Sequence, residues 1–213
     1  MSIRVVLADD HPIFREGLAA VLRRHGDIEV AAEAGDGRTA LRVAREILPD
    51  VVVMDISMPD LNGIEAAKKI ATETPGVKVL ALSMHSGRQF VEEMFRAGAA
   101  GYLLKDCIAE ELAGAIRSVA AGQIYVSSRI AEMLPNPLPA AEGSSTAFSR
   151  LTSREREVLQ LIAEGKNTRE IAPLLSISIK TAEAHRQHIM KKLGAQSLAE
   201  LIKFAVREGL TTL

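Results

Sequence analysis

The pattern of apolar and polar positions changes character partway along the chain. Over the first 126 residues, short apolar runs alternate with longer stretches whose apolar residues recur every three or four positions. The runs lie near 3–8, 29–34, 51–55, 77–83 and 101–104, and the helical period fills 13–24, 37–47, 63–73, 87–97 and 108–121. Val51-Val52-Val53-Met54 is apolar without a break, which predicts a strand buried on both faces. Regular alternation of strand and helix predicts a parallel sheet covered by helices on both sides. The punctuation agrees: Pro12 opens the first helix, and Gly98 and Gly122 follow the fourth and fifth.

Beyond Tyr125-Val126 this pattern breaks. A short helical candidate at 129–134 is followed by Pro135-Asn136-Pro137-Leu138-Pro139 and Gly143-Ser144-Ser145-Thr146, which sustain neither period. Residues from about 135 to 148 are expected as a linker. From Leu151 onward only helical periodicity remains, with helices expected near 153–164, 168–175, 179–193 and 198–208. Thr152-Ser153-Arg154-Glu155 and Ser197-Leu198-Ala199-Glu200 have the capping-box form, and Gly165, Gly194 and Gly209 supply stops. The tight Ser176-Ile177-Ser178 turn has the spacing of a helix-turn-helix. The expected organisation is an α/β domain over 1–126, a linker with a short helix over 127–149, and an all-helical domain over 150–213.

Charge sharpens this division. Residues 150–213 hold 11 Lys/Arg against 7 Asp/Glu, so of the chain's 26 and 27 the first 149 residues keep 15 and 20. A basic C-terminal part is the natural partner of a polyanion. The single cysteine, Cys107, cannot form an internal disulfide, and the first 20 residues lack the apolar centre of a signal peptide. With no apolar stretch long enough to span a bilayer, a cytoplasmic location is expected.

Candidate chemistry lies where strands end. Asp9 and Asp10 close the run Ile3–Ala8, Asp55 ends Val51–Met54, and Lys105 follows Gly101–Leu104. In a parallel sheet these ends share one rim, the usual location of α/β chemistry. Three carboxylates can hold a divalent cation while one serves as a nucleophile, and a lysine can meet the negative charge that results.

With Met58-Pro59, Gly63, Ser83 and Tyr102 added in order, this set resembles the receiver domain of two-component response regulators, over residues 1 to about 126. The resemblance implies a flavodoxin-like, doubly wound parallel sheet of five strands, with Asp55 as phosphoacceptor. It also implies that Mg²⁺ is held by Asp10, Asp55 and the backbone carbonyl of Ser57, with Asp9 acting through water. Lys105 and the Ser83 hydroxyl would take phosphoryl oxygens, Tyr102 would turn inward behind Ser83, and Ser57, Met84 and His85 would affect phosphate lifetime. The chemistry is consistent, because a phosphoryl group in transfer keeps its charge on its oxygens and needs a cation and fixed donors rather than an acid.

Leu151 through Leu159, Ile171-Ala172, Lys180 through His185 and Lys191-Lys192-Leu193-Gly194 resemble a LuxR-type helix-turn-helix. A receiver joined to it is the NarL/FixJ class of response regulator, which implies a sensor histidine kinase as phosphodonor and promoter DNA as partner. In the 179–193 helix, Ala182, Ile189 and Leu193 form an inward stripe opposite a polar face. On that face Lys180 suits guanine, Gln187 adenine, Glu183 cytosine and Ala184 a thymine methyl. Thr181, Arg186, His188 and Lys191 suit phosphates. The last helix carries Leu198, Leu201, Ile202, Ala205 and Val206, more apolar surface than three small helices need, so a homodimer is expected.

Alternatives fare less well. A haloacid-dehalogenase-type phosphatase also begins on a strand-end aspartate, but needs a second acid two residues on, where this chain has Ser57. A receiver serving only as a dimerisation platform would have no use for the intact set Asp9, Asp10, Asp55, Ser83 and Lys105. Gly35-Asp36-Gly37 is expected as a turn and not as a dinucleotide site, and His185 and His188 have no third metal ligand nearby. Pro173 falls inside an expected helix, where it removes a backbone bond.

Overall fold

The computed structural model describes residues 2–106, 109–132, 150–208 and 210–211. Cys107, the expected linker and Gly209 lie outside the described residues. In chain order the first domain runs β1 (Ile3–Ala8), α1 (Pro12–Leu22), β2 (Ile28–Ala34), α2 (Gly37–Ile47), β3 (Val51–Met54), α3 (Gly63–Glu73), β4 (Lys78–Ser83), α4 (Arg88–Arg96), β5 (Gly101–Leu104), α5 (Ala109–Ala120), β6 (Tyr125–Val126) and α6 (Ser128–Ala131). The strands form one parallel sheet in the order β2-β1-β3-β4-β5-β6. Six strands stand where five were expected. The extra one has two residues, too few to establish a period-two pattern, and it pairs with Gly101 and Tyr102 at the sheet edge.

The central strands divide their side chains between two cores, as a pleat of period two requires. Val6, Val52 and Met54 join Ile64 and Ile70 of α3 on one face, while Val5, Leu7, Val51 and Val53 join Leu112 and Ile116 of α5 on the other. Each such side chain contributes about 1.5–3 kcal/mol by leaving water. Asp36 caps α2 by accepting from the Thr39 amide at 2.7 Å, so Gly35-Asp36-Gly37 is the entrance of a helix.

The second domain comprises α7 (Ser153–Ala163), α8 (Thr168–Leu174), α9 (Ile179–Leu193) and α10 (Leu198–Arg207). Thr152 and Glu155 form the expected capping box, and Asn167 with Glu170 forms a second at α8. Val158, Leu161, Ile171, Ala182, Ile189, Leu201 and Phe204 make the shared core. Pro173 is in the second turn of α8, on its exposed side, and the helix ends one residue later. Among the described residues no helix is long and apolar enough to cross a membrane.

Candidate phosphoacceptor site and nucleic-acid interface

Parallel register carries the predicted residues to one rim. Ala8 pairs with Met54, Met54 with Ala81 and Ser83 with Leu104, so the residues after each strand emerge side by side. The Asp55 amide donates to the Ala8 carbonyl at 2.8 Å, and the Lys105 amide donates to the Ser83 carbonyl at the same distance. Asp9 and Asp55 are both buried, and the Lys105 ammonium lies 2.7 Å from a carboxylate oxygen of each. Burial pushes the Asp55 carboxyl up to about 6, against the opposing pull of Lys105. At neutral pH it is therefore mostly ionised. Burial disfavours the Lys105 ammonium, yet the charges of Asp55 and Asp9 outweigh it and hold the group above its ordinary value.

Asp9, Asp10, His11 and Asp55 each offer a ligand atom, all within 4.8 Å of one another. Asp9 Oδ2 and Asp10 Oδ1 are shielded from solvent and, although 2.7 Å from Lys105 Nζ and 2.8 Å from His11 Nδ1, neither receives an aligned hydrogen bond. Carboxylate oxygens with spare acceptor capacity fit a hard divalent cation. His11 was not singled out in the sequence, although its position directly after Asp9-Asp10 is the signal that could have found it.

Ser83 and Tyr102 are fully buried beside this rim. The Ser83 hydroxyl accepts from the His85 amide at 3.0 Å and is hydrogen-bonded to the Tyr102 hydroxyl, so its proton must leave Tyr102 to reach an incoming phosphoryl oxygen. Tyr102 donates its hydroxyl to the His85 carbonyl at 2.6 Å, so its ring points inward, and burial holds its hydroxyl above the ordinary pKa. His85 also meets the Ser57 hydroxyl at 3.1 Å and stacks on Phe90 with centroids 4.3 Å apart. Burial holds its imidazole below the ordinary value. Met84, in contrast, is exposed.

In the second domain, Lys180, Thr181, Glu183, Ala184, Arg186, Gln187, His188 and Lys191 are all exposed along one side of α9. Ala182 and Ile189 are buried and Leu193 is half-buried on the other. Ser178 caps α9 by accepting from the Thr181 amide, and the Thr181 hydroxyl is 2.8 Å from that of Ser178. Lys192 donates to Glu155 at 2.6 Å, fastening α9 to α7, and Arg154 donates to the Leu175 carbonyl before the turn. Burial acts to raise the Glu155 pKa, but its bonds from Lys192 and Thr152 prevail and hold it low. Among the described residues no cluster of three or more metal ligands includes His185 or His188.

The two domains also touch, which the sequence did not disclose. Along α7, Arg156 pairs with Glu65 of α3 at 3.1 Å and with Glu93 of α4 at 3.5 Å, and Glu157 accepts from Lys69 at 2.6 Å. Gln160 is fully buried against the loop between β3 and α3. On an otherwise amphipathic helix, a lone amide gives no sign that it is other than solvated.

Residues 5–117 match the response regulator receiver domain family, and residues 149–205 match the bacterial regulatory proteins of the luxR family. The chain is 44% identical to the transcriptional regulatory protein MctR of Rhizobium johnstonii over 211 residues, 99% of this chain and 96% of that one. It is 40% identical to the oxygen regulatory protein NreC of Staphylococcus aureus, over 98% of this chain and 99% of that one. The response regulator RcsB in complex with DNA superposes with a TM-score of 0.60 at 26% identity, covering 97% of this chain and 98% of RcsB. With both domains matched in order along nearly its whole length, the chain belongs to the NarL-type response regulators, in which a receiver domain is joined to a LuxR-family DNA-binding helix-turn-helix.

Proposed function

We propose that Asp55 accepts a phosphoryl group from a sensor histidine kinase and that this event controls promoter binding through α9. The observation that carries the proposal is the placement of one buried carboxylate, Asp55, within reach of Lys105, of the Asp9 and Asp10 oxygens and of the Ser83 strand end. Attack by an Asp55 oxygen on the donor's phosphohistidine forms a P–O bond as the P–N bond breaks, leaving an acyl phosphate on the receiver. Asp10, Asp55 and the Ser57 carbonyl would hold Mg²⁺, with Asp9 behind a water, and the bound ion would supply positive charge against the phosphoryl oxygens. Lys105 releases its carboxylate partners to meet one oxygen, and Ser83 gives its proton to another.

That donation exists only in the phosphorylated state, so it favours whichever arrangement of the 83–85 segment permits it. Tyr102 follows through its bond to the His85 carbonyl. Ser83→Ala is therefore expected to take up phosphate on Asp55 as before, yet to gain little DNA affinity from it. Affinities measured with and without acetyl phosphate check this, and an equal gain in variant and wild type rules out the hydroxyl as the link.

DNA would be read by Lys180, Glu183, Ala184 and Gln187 in the major groove, with Thr181, Arg186, His188 and Lys191 on phosphates. Leu198, Ile202 and Val206 leave apolar surface at four-residue intervals along α10, which supports a homodimer that brings two α9 helices to successive half-sites. Lys180→Ala or Gln187→Ala is expected to cost about 1–3 kcal/mol at particular base positions. Lys191→Ala is expected to weaken every sequence alike and to flatten the salt dependence by about one unit of slope. Binding-site selection with the three variants separates these outcomes, and three unchanged profiles would remove α9 from the groove.

A further inference from the structure

The loop between β3 and α3 is held from outside its own domain. Gln160 Nε2 donates to the Met58 carbonyl at 2.8 Å and to Glu164 at 2.9 Å, while its Oε1 accepts from the Asn62 amide at 2.9 Å and from Asn62 Nδ2 at 3.0 Å. All four hydrogen-bonding positions of that buried amide are thereby filled, and three of the bonds land on the loop. Glu164 adds a fourth bond to the loop by accepting from the Asp60 amide at 3.1 Å.

The loop needs such support. Asp60 sits at φ 64, in the left-handed region that a non-glycine residue occupies at a cost. Asn62 in turn caps α3 through the Glu65 amide at 3.0 Å. Ser57, whose carbonyl the Mg²⁺ reading uses, immediately precedes the Met58 carbonyl that Gln160 grips.

We propose that Gln160, a residue of the DNA-binding domain, is a positioning residue for the cation and phosphoryl site of the receiver. By fixing the Met58 carbonyl and the Asn62 amide it sets the peptide that presents the Ser57 carbonyl, so the cation site is complete only while α7 is docked. This rests on the Mg²⁺ reading given above. Reciprocity follows from linkage: whatever docking contributes to cation affinity, the cation returns to docking by the same factor. The recognition domain thus senses the site directly through the loop, in addition to any signal that passes through Ser83 and Tyr102.

The test uses the full chain and the cation alone. Mn²⁺ binding is followed by electron paramagnetic resonance and competed with Mg²⁺, in wild type, Gln160→Ala, Glu164→Ala and Lys69→Ala. Gln160→Ala is expected to bind both ions about tenfold more weakly, the scale of a group that orients a metal ligand without touching the metal. Glu164→Ala, which removes one loop bond, is expected to show a smaller loss in the same direction and serves if the Gln160 variant fails to fold. Lys69→Ala breaks the ion pair with Glu157 in the same interface but away from the loop, and is expected to bind as wild type does. Equal affinities in wild type and the Gln160 and Glu164 variants overturn the positioning role while leaving the Mg²⁺ reading intact. A wild type that binds neither ion overturns both, and a Lys69→Ala loss as large as that of Gln160→Ala assigns the effect to docking in general and overturns the role given to Gln160.

Discussion

The Asp55→Asn protein is expected to gain no mass on incubation with acetyl phosphate and Mg²⁺, whereas wild type is expected to gain one phosphoryl group, the largest effect of any single substitution here. An amide cannot attack phosphorus as a carboxylate does, and no other carboxylate has the same surroundings. Asp9 is as buried and as close to Lys105, but its backbone carbonyl is held by Arg15 and its side chain accepts from the His11 amide, so it is tied to the start of α1. Asp10 is half-exposed and faces His11. Intact-mass measurement of both proteins decides the matter, and one added phosphoryl on Asp55→Asn would move the acceptor elsewhere.

Gly63→Ala is expected to destabilise the receiver by about 3 kcal/mol or more. A methyl group at that position would lie 1.9 Å from the Asp55 carbonyl oxygen and 2.9 Å from its carbon, and both are backbone atoms that cannot step aside. The close approach is enforced from the other side, because the Gly63 amide donates to the Ile56 carbonyl at 2.8 Å. In thermal melts this corresponds to a fall of roughly 10 °C or more. Gly17→Ala is the matched control, since nothing lies within 4 Å of a methyl group there and an alanine within α1 is neutral or mildly stabilising. Equal melting temperatures for the two variants would mean that the approach of α3 to Asp55 constrains nothing.

What could be read from the sequence was whatever a local period or a strand end discloses. The run 51–54 announced a doubly buried strand, and its last residue announced the rim, because in a parallel sheet strand ends gather without any knowledge of long-range packing. The exposed side of α9 was legible for a similar reason, as the buried positions Ala182 and Ile189 fix which way the helix faces. β6 was not legible, since two residues carry no period. Nor was the partnership of Gln160 with Asn62, whose members are 98 residues apart and polar, so no hydrophobic pattern relates them. Tyr102 was expected as an inward-turning aromatic from family resemblance alone; a tyrosine by itself is also compatible with a half-buried ring and a wet hydroxyl.

The residues of α9 proposed to face the groove stand open to solvent while α7 is seated on the receiver. If α9 reads the duplex as proposed, seating leaves the side chains that would choose the bases uncovered. What seating fixes is the direction in which the receiver projects from the bound site. For two copies on one promoter, that direction sets whether their bulk meets or clears, and so which spacings between neighbouring half-sites can be filled at once.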